Sequence, residues 1–354
     1  MQSSPHAQSG CPSHVRRSIV LHCRYQYGVP YYELLQSFGI SMKDKYIECP
    51  MRPVGIAAAC DWALMVPCLY ADLMIEPRTI YVHHVMLEVF IEQILKHMPV
   101  HTRFVLVTSG TDHTIPTASG DVRFYPMRGF SNVSSERGGP HWQVLTHSVQ
   151  LVHWFCENHD INDDRVSTLP TGIVKSIEGM SPVPFNSAPS PLRHRPLRFL
   201  VSHRTRSMTG QWEHRQSVTT MCLKLLLTDD LCLYPSTHLS VDHRKSISQR
   251  VWIRLATSVP FVLCVHGGGL DPSPKAWEAI MLGTIPIIQH STLDDAYEQL
   301  PVVFVRSWQV LFEGNLTAIK SRLQGIVEAL SPYYDDPIFR GPVVEVRAVI
   351  MLSF

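Results

Sequence analysis

The sequence predicts an α/β protein built from two mostly parallel sheets. From Thr79 onward, short apolar strands alternate with helical patterns, and the alternation begins again after a stretch rich in Pro and Ser between Ser176 and Pro196. Strands that alternate with helices form parallel sheets with helices on both faces. Two such series joined by one linker predict two units with a cleft between them.

The composition is that of a folded protein large enough for about two domains. The chain has 354 residues, of which 45% are hydrophobic and 17% charged, with a net charge of +1. This balance gives no indication of a nucleic-acid partner or of attachment to an anionic membrane. No apolar window approaches the roughly 18 residues of a spanning helix, and the first twenty residues lack a signal-peptide pattern. We therefore expect a cytosolic protein or one whose targeting segment is missing from this chain.

The cysteines and histidines do not predict a metal site. The nine cysteines form no CxxC pair. An odd number of cysteines fits reduced thiols as well as a few disulfides with one free thiol. Two glycosylation sequons, at Asn132 and Asn315, are compatible with a secretory compartment without establishing it.

In the first half of the chain, the clearest sequence patterns are those of its predicted strands. Residues 1–75 are uncertain, although "GIAAACDWALMVPCLYADLMI" is compatible with a buried helix. "TIYVHH" and "RFVLVT" predict strands on either side of the helical "VMLEVFIEQILKHM". "HWQVLTHSVQLVHWFCENHD" then has a helical pattern, and "RVSTLP" predicts another strand. This half therefore begins with a β-α-β unit.

The second half repeats the alternation. Its predicted strands are "LRFLVSH", "PFVLCV", "TIPII" and "VVFV", and its predicted helices include "QWEHRQSVTTMCLKLLL" and "KSISQRVWIRLATS". "PFVLCV" is apolar throughout, as expected for a central parallel strand buried on both faces. Ligands of open α/β sheets bind at the carboxyl ends of such strands.

Three glycines, Gly267, Gly268 and Gly269, stand at the carboxyl end of that strand. Glycines there let backbone N–H groups approach a ligand closely. Ser273 and Pro274 follow as a predicted N-cap and first helical position, and Gly283 as the stop.

A helix N-terminus preceded by glycines favours a phosphate. Lys275 in the first turn would add positive charge, and Glu278 one turn later is suited to accept hydrogen bonds from ribose hydroxyls. The interpretation is a nucleotide site. The alternative is a tight turn followed by a solvated Lys275–Glu278 pair.

Other readings of the glycine loop lack their partner motifs. His266 to Gly269 reads "HGGG", as in the oxyanion loop of some α/β-hydrolases, but the chain has no G-x-S-x-G nucleophile elbow. Neither G-x-x-x-x-G-K-[ST] nor G-x-G-x-x-G occurs, which argues against a P-loop NTPase and an ordinary dinucleotide site.

The segment "FVLCVHGGGLDPSPKAWEAIMLGTIPIIQHSTLDDAYEQLPVVFVRSW" resembles the nucleotide-sugar-binding region of exostosin-like glycosyltransferases, the GT47-type family. "TIYVHHVMLEVFIEQILKHMPVHTRFVLVTSGTDHTIP" and "HWFCENHDINDDRVSTLPTGI" are similar to two segments of that family's first half. The resemblance covers roughly residues 79 to 310.

The resemblance implies a GT-B-like fold, in which two Rossmann-like, doubly wound parallel-sheet domains face a cleft. It implies an inverting transferase that needs no metal or other cofactor, with a nucleotide-diphosphate sugar, expected to be a UDP-sugar, as co-substrate and a glycan or glycoprotein as acceptor. Family members commonly carry an amino-terminal membrane anchor, so the expected location is the Golgi, with the anchor absent from this chain.

The donor-binding residues follow from the same resemblance. Glu278 would hold the ribose, and the glycine loop with Lys275 the diphosphate. Many family members have an arginine where this chain has His266 and a His-Arg pair where it has Pro274-Lys275. We therefore expect the diphosphate to be bound either by Lys275 or by two arginines after "LVSH", Arg204 and Arg206.

Asp112 and His113 are the candidate catalytic residues. They follow "FVLVT" at a strand end that faces the predicted cleft, where a general base could accept the proton of the acceptor hydroxyl. Structural roles for both remain the alternative. Asp271 is expected to bond either the loop backbone or a donor hydroxyl, with the loop backbone preferred, and Arg215 is a further candidate for a diphosphate contact.

The predicted domains are an uncertain amino-terminal segment (1–75), an acceptor-side Rossmann-like domain (76–180), a Pro/Ser-rich linker (181–196), a nucleotide-sugar-binding Rossmann-like domain (197–335) and a tail (336–354). A second hypothesis is a catalytically inactive GT-B-like protein that binds carbohydrate or stabilises a partner. His266 and the unreadable first 75 residues favour it, whereas the glycine loop, Lys275 and Glu278 count against it.

Overall fold

The protein has a mixed α/β fold with two largely parallel sheets, which confirms the α/β class and the parallel sheets that the sequence predicts. The computed structural model describes residues 19–20, 53, 55–65, 69–71, 76–87, 90–111, 114–116, 138–172, 190–203, 213–226, 229–235, 247–266, 269–272, 274–335 and 350–351. Several predicted site residues lie outside these ranges: Asp112, His113, Arg204, Arg206, Gly267, Gly268 and Ser273.

The first sheet contains seven described strands in the order β1-β3-β2-β4-β5-β6-β7. β3 is antiparallel to both of its neighbours, and the remaining pairs are parallel. Two described α-helices accompany this sheet, α1 (Ile56–Ala59) and α2 (Gly138–His147). The strands are β1 (Ile19–Val20), β2 (Trp62–Leu64), β3 (Leu69–Ala71), β4 (Thr79–His83), β5 (Phe104–Ser109), β6 (Leu151–Cys156) and β7 (Val166–Thr168).

Two helix predictions in this half are wrong in part. The apolar stretch before residue 76 contains only the four-residue α1 and then β2 and β3, whose residues are all buried. A strand with two buried faces has no alternation, so its pattern does not differ from that of a buried helix. The later helical pattern is confirmed as far as His147, but its second part forms the strand β6, in which Val152 and Phe155 are exposed.

The second sheet contains six described strands in the order β13-β12-β11-β10-β8-β9, and every pair is parallel. The predicted strands and helices of this half are all present. The strands are β8 (Phe199–Leu200), β9 (Cys232–Leu233), β10 (Phe261–Leu263), β11 (Ile285–Gln289), β12 (Val303–Val305) and β13 (Ile350–Met351). The described helices are α3 (Glu213–Leu226), α4 (Gln249–Ala256), α5 (Pro274–Met281), α6 (Trp308–Leu311) and α7 (Leu316–Asp335).

Both faces of the second sheet are covered. Along β10, Phe261 and Leu263 pack into one buried cluster and Val262 into another on the opposite face. Successive side chains of a strand point to opposite faces, so the two clusters lie on either side of the sheet. This double burial explains why "PFVLCV" is apolar at every position, as the sequence indicated.

A disulfide joins Cys222 of α3 to Cys232 of β9. Both residues are buried in the core of the second sheet. Three other described cysteines, Cys60, Cys156 and Cys264, are buried free thiols. The sequence left the cysteine state open, and in the described part of the chain it is mixed. None of the described helices is long and apolar enough to cross a membrane.

Candidate functional site

The predicted donor site lies at the carboxyl-end edge of the second sheet. β8, β10 and β11 are adjacent parallel strands, so their carboxyl ends meet at one edge. The described residues 201–203, 264–266 and 269–272, and 290–296 follow these three strands there, and α5 begins at Pro274. Ligands of open α/β sheets bind at this kind of edge.

Lys275 connects the first turn of α5 to the end of β8. Its Nζ donates a hydrogen bond to the carbonyl oxygen of Ser202 at 2.6 Å and lies 5.5 Å from the centre of the Trp252 ring. The ammonium is therefore held between a backbone carbonyl and an aromatic face, an arrangement that fixes a lysine side chain. Its positive charge is kept at the edge of the sheet, where the sequence predicts a diphosphate.

Glu278 lies one turn further along α5 and is half-buried. Burial raises the pKa of its carboxyl above the ordinary value of 4.5, while the nearby Lys275 and Trp252 oppose this rise. Desolvation disfavours the charged form of an acid, and the lysine charge favours it. The carboxylate is thus a partly desolvated acceptor beside a cation, which is suited to hold hydroxyl groups.

The side chain of Asn158, from the loop after β6, occupies the space where a side chain at position 269 would lie. A Cβ built at this position would lie 2.3 Å from Oδ1 of Asn158, and the φ of Gly269 is outside the left-handed region. Glycine is therefore required by the close approach of Asn158 and not by an unusual backbone angle. The sequence predicted close approach of a ligand here, and at Gly269 the neighbour is a side chain of the same chain.

Asp271 is buried, and where the sequence analysis preferred a bond to the backbone of its own loop, the described contact of its carboxylate is to backbone of the other half of the chain. Its carboxylate accepts a hydrogen bond from the backbone N–H of Thr171 at 3.4 Å, and its own N–H donates to Oδ1 of Asn158 at 2.8 Å. Both contacts reach the segment that follows the last strands of the first sheet. The loop after β10, whose described residues are 264–266 and 269–272, is here called the donor loop. Asp271 thus joins the donor loop to the other half of the chain.

Arg215 supports the beginning of the donor loop. Its Nε donates to the carbonyl oxygens of Val265 at 3.3 Å and His266 at 3.1 Å. The ring of His266 lies 4.9 Å from that of His214, centre to centre. The sequence proposed Arg215 as a diphosphate contact, and the contacts described for its Nε hold the strand end.

A second polar cluster follows β4, β5 and β6 in the first sheet. The Tyr81 hydroxyl contacts Ser109 Oγ at 2.9 Å, and Glu157 accepts hydrogen bonds from the N–H of Gly110 at 3.1 Å and the hydroxyl of Thr171 at 2.7 Å. The predicted base residues, Asp112 and His113, follow Gly110 and lie outside the described residues.

Further contacts join the two halves. The Thr168 N–H donates to Asp295 Oδ2 at 3.1 Å, and the Thr168 hydroxyl also donates to Asp295. The Thr292 hydroxyl donates to the carbonyl of His159. The segment 157–172 therefore bonds two loops at the carboxyl-end edge of the second sheet, those at 269–272 and 290–296.

Sequence reasoning did not identify Asn158 and Glu157 as site residues. Their only signal was their position directly after the apolar run that became β6. Within the described ranges, no group of three His, Cys, Asp or Glu residues is placed to hold a metal ion.

Comparison with known proteins gives no assignment. No protein-family model matches the chain, and no curated protein matches its sequence. The fold and the described contacts define the class as an α/β protein with two parallel sheets bonded through their loops.

Proposed function

We propose that this protein is an inverting glycosyltransferase of GT-B arrangement that moves a sugar from a UDP-sugar to a glycan or glycoprotein in the Golgi. The single observation that carries the proposal is the placement of Lys275 and Glu278. They lie one turn apart on α5, at the edge of the second sheet where α/β proteins bind ligands. The exostosin-like pattern of the same segment supplies the reaction class.

In this proposal each group has one task. The N–H groups of the loop from Gly267 to Gly269 and the charge of Lys275 bind the diphosphate, and Glu278 accepts hydrogen bonds from the ribose. The acceptor oxygen attacks the anomeric carbon as the bond to the diphosphate breaks, and Asp112 or His113 takes the hydroxyl proton. The bond forms on the face opposite the leaving group, so the anomeric configuration inverts.

The second candidate is a catalytically inactive relative that binds carbohydrate or stabilises a partner. The observation that favours it is that several residues of the predicted donor site already have partners within the protein. Lys275 donates to Ser202, Gly269 is packed against Asn158, and Asp271 binds Thr171. An enzyme can use such contacts to position its loop, whereas an inactive relative would keep them for stability alone.

We expect uridine diphosphate to bind the wild type and to bind the Glu278→Gln variant more weakly. Loss of a hydrogen bond to a charged group costs about 1.5–3 kcal/mol, which corresponds to roughly a 10- to 150-fold weaker Kd. Isothermal titration with a panel of nucleoside diphosphates measures it. The exposed Glu298, changed to Gln, is the matched control and should bind as the wild type does.

The pH dependence of this affinity gives a further check. Because burial raises the pKa of Glu278, its carboxylate is protonated at a higher pH than an ordinary glutamate as the pH falls. Wild-type affinity should therefore weaken on acidification before ordinary carboxyls titrate, and Glu278→Gln should lack this step. Failure of every nucleoside diphosphate to bind the wild type would contradict the transferase proposal and leave the inactive relative.

A further inference from the structure

Asn158 combines a left-handed backbone conformation with a buried side chain, which is unusual for a residue in a loop. It follows β6 by two residues, is buried, and has a φ of 56°, in the left-handed region that non-glycine residues rarely adopt. Asparagine tolerates this region better than most residues. Its own carbonyl accepts a hydrogen bond from the N–H of Ile115 at 3.0 Å, so the rim of the first sheet holds its backbone in place.

The Asn158 side chain fills the space that Gly269 leaves. Oδ1 accepts the N–H of Asp271 at 2.8 Å, and a Cβ at Gly269 would lie within 3 Å of three atoms of the Asn158 amide group. One side chain of the first sheet therefore determines where residues 269–271 lie. These residues lead directly into α5, which carries Lys275 and Glu278.

Neighbouring contacts fix the same segment around Asn158. Glu157, the preceding residue, binds Gly110 and Thr171, and Thr171 donates its N–H to Asp271. Asn158 is thus the central member of a set that connects the β5 and β6 ends of the first sheet to the donor loop. The Gly110 side of this set is followed in sequence by the proposed base residues, Asp112 and His113.

We propose that Asn158 is a positioning residue for the nucleotide-sugar site. By docking against Gly269 and binding Asp271 N–H, it sets the donor loop from the acceptor-side sheet and so aligns the bound donor with the residues beyond Gly110. The inference rests on the proposed function. The inference adds that the position of the donor loop is set by a residue from the other half of the chain, and that this residue need not touch the donor.

This role predicts coupling between the two sides of the site. A donor loop held by Asn158 is preorganised, so the donor does not have to order it on binding. Without the Asn158 amide, Lys275 and Glu278 are still present on α5, but the donor loop before α5 loses its fixed placement relative to the first sheet. Donor affinity and the rate of transfer should then both fall, because the donor binds a less ordered site and is less well aligned with the acceptor.

The Asn158→Gly variant tests the proposal. Glycine accepts the φ of 56° without strain, so the substitution removes the amide and leaves the backbone conformation accessible. We expect uridine diphosphate to bind about tenfold more weakly, as for a lost buried hydrogen bond, by isothermal titration well below the melting temperature. The donor KM should rise and kcat should fall, with the acceptor KM unchanged. Asn162→Gly, an exposed change in the same loop, is the control.

The outcomes separate the two proposals. If the wild type binds no nucleoside diphosphate, the proposed function fails and this inference fails with it. If the wild type binds and Asn158→Gly binds and turns over equally well, the positioning role is wrong and the transferase proposal stands. A variant with a lower melting temperature but wild-type affinity and kcat would show that Asn158 is only structural, which also overturns the inference.

Discussion

Replacing Gly269 with alanine is expected to lower the free energy of unfolding by about 3 kcal/mol, at the upper end of the cost of overpacking a well-filled interior. The new Cβ would lie 2.3 Å from Oδ1 of Asn158, and real Cβ contacts are not this short. Asn158 cannot move aside without breaking its bond to the Asp271 N–H. Urea denaturation of the wild type and the variant measures the difference.

A second substitution shows whether the clash with Asn158 is the cause. Combining Gly269→Ala with Asn158→Gly removes the obstructing amide, so the double variant should be about 1–2 kcal/mol more stable than Gly269→Ala alone. Gly325→Ala is the matched control, since nothing lies within 4 Å of a Cβ built there, inside α7. It should be neutral or slightly stabilising. A double variant less stable than Gly269→Ala would contradict the account of Gly269.

Removal of the Arg195 side chain should cost about 3 kcal/mol, the upper end of the range for losing buried hydrogen bonds made by a charged group. Arg195 is buried; its Nη1 donates to Val259 O at 3.1 Å and Thr284 Oγ1 at 2.9 Å, and its Nε donates to Ser190 O at 2.8 Å. These bonds tie the chain before β8 to the residues that precede β10 and β11. In Arg195→Ala, buried acceptors lose their donor.

Two control variants belong with this prediction. Arg195→Lys should recover less than half of the loss, because one ammonium cannot reproduce the planar fork that donates in several directions. Arg193→Ala removes an exposed arginine, 3.9 Å from Asp335, and should change stability by less than about 1 kcal/mol. Chemical denaturation measures the stability of all three variants. An Arg195→Ala protein as stable as Arg193→Ala would contradict the stabilising role assigned to the Arg195 hydrogen bonds.

The second sheet was predictable because its signals are local. β10 is apolar at every position because both of its faces are buried, and the turn after α5 uses Gly283 with a φ of 70°. Such features depend on a residue and its near neighbours. The strand β6 was not separated from the helical pattern before it, because its buried residues Leu151 and Trp154 lie three positions apart and do not alternate with exposed ones.

The contacts between the halves were not predictable in the same way. Asn158 and Asp271 are 113 residues apart, and nothing near either residue in sequence indicates its partner. The Pro- and Ser-rich stretch was interpreted as a linker from its composition, which does not reveal that Arg195 within it binds Val259 and Thr284. Predicting such pairs needs the tertiary placement of segments that are distant in sequence, between the two sheets for Asn158 and Asp271 and within the second half for Arg195.

The most direct test of the transferase proposal is the reaction itself. Wild-type protein is incubated with a panel of UDP-sugars and a mixture of glycan acceptors, with and without a metal chelator, and the product anomer is determined by NMR. The proposal predicts release of uridine diphosphate and a product of inverted configuration, unaffected by the chelator and strongly reduced in Glu278→Gln. A protein that binds uridine diphosphate but transfers sugar from no donor to any acceptor would contradict the proposal and favour the inactive relative.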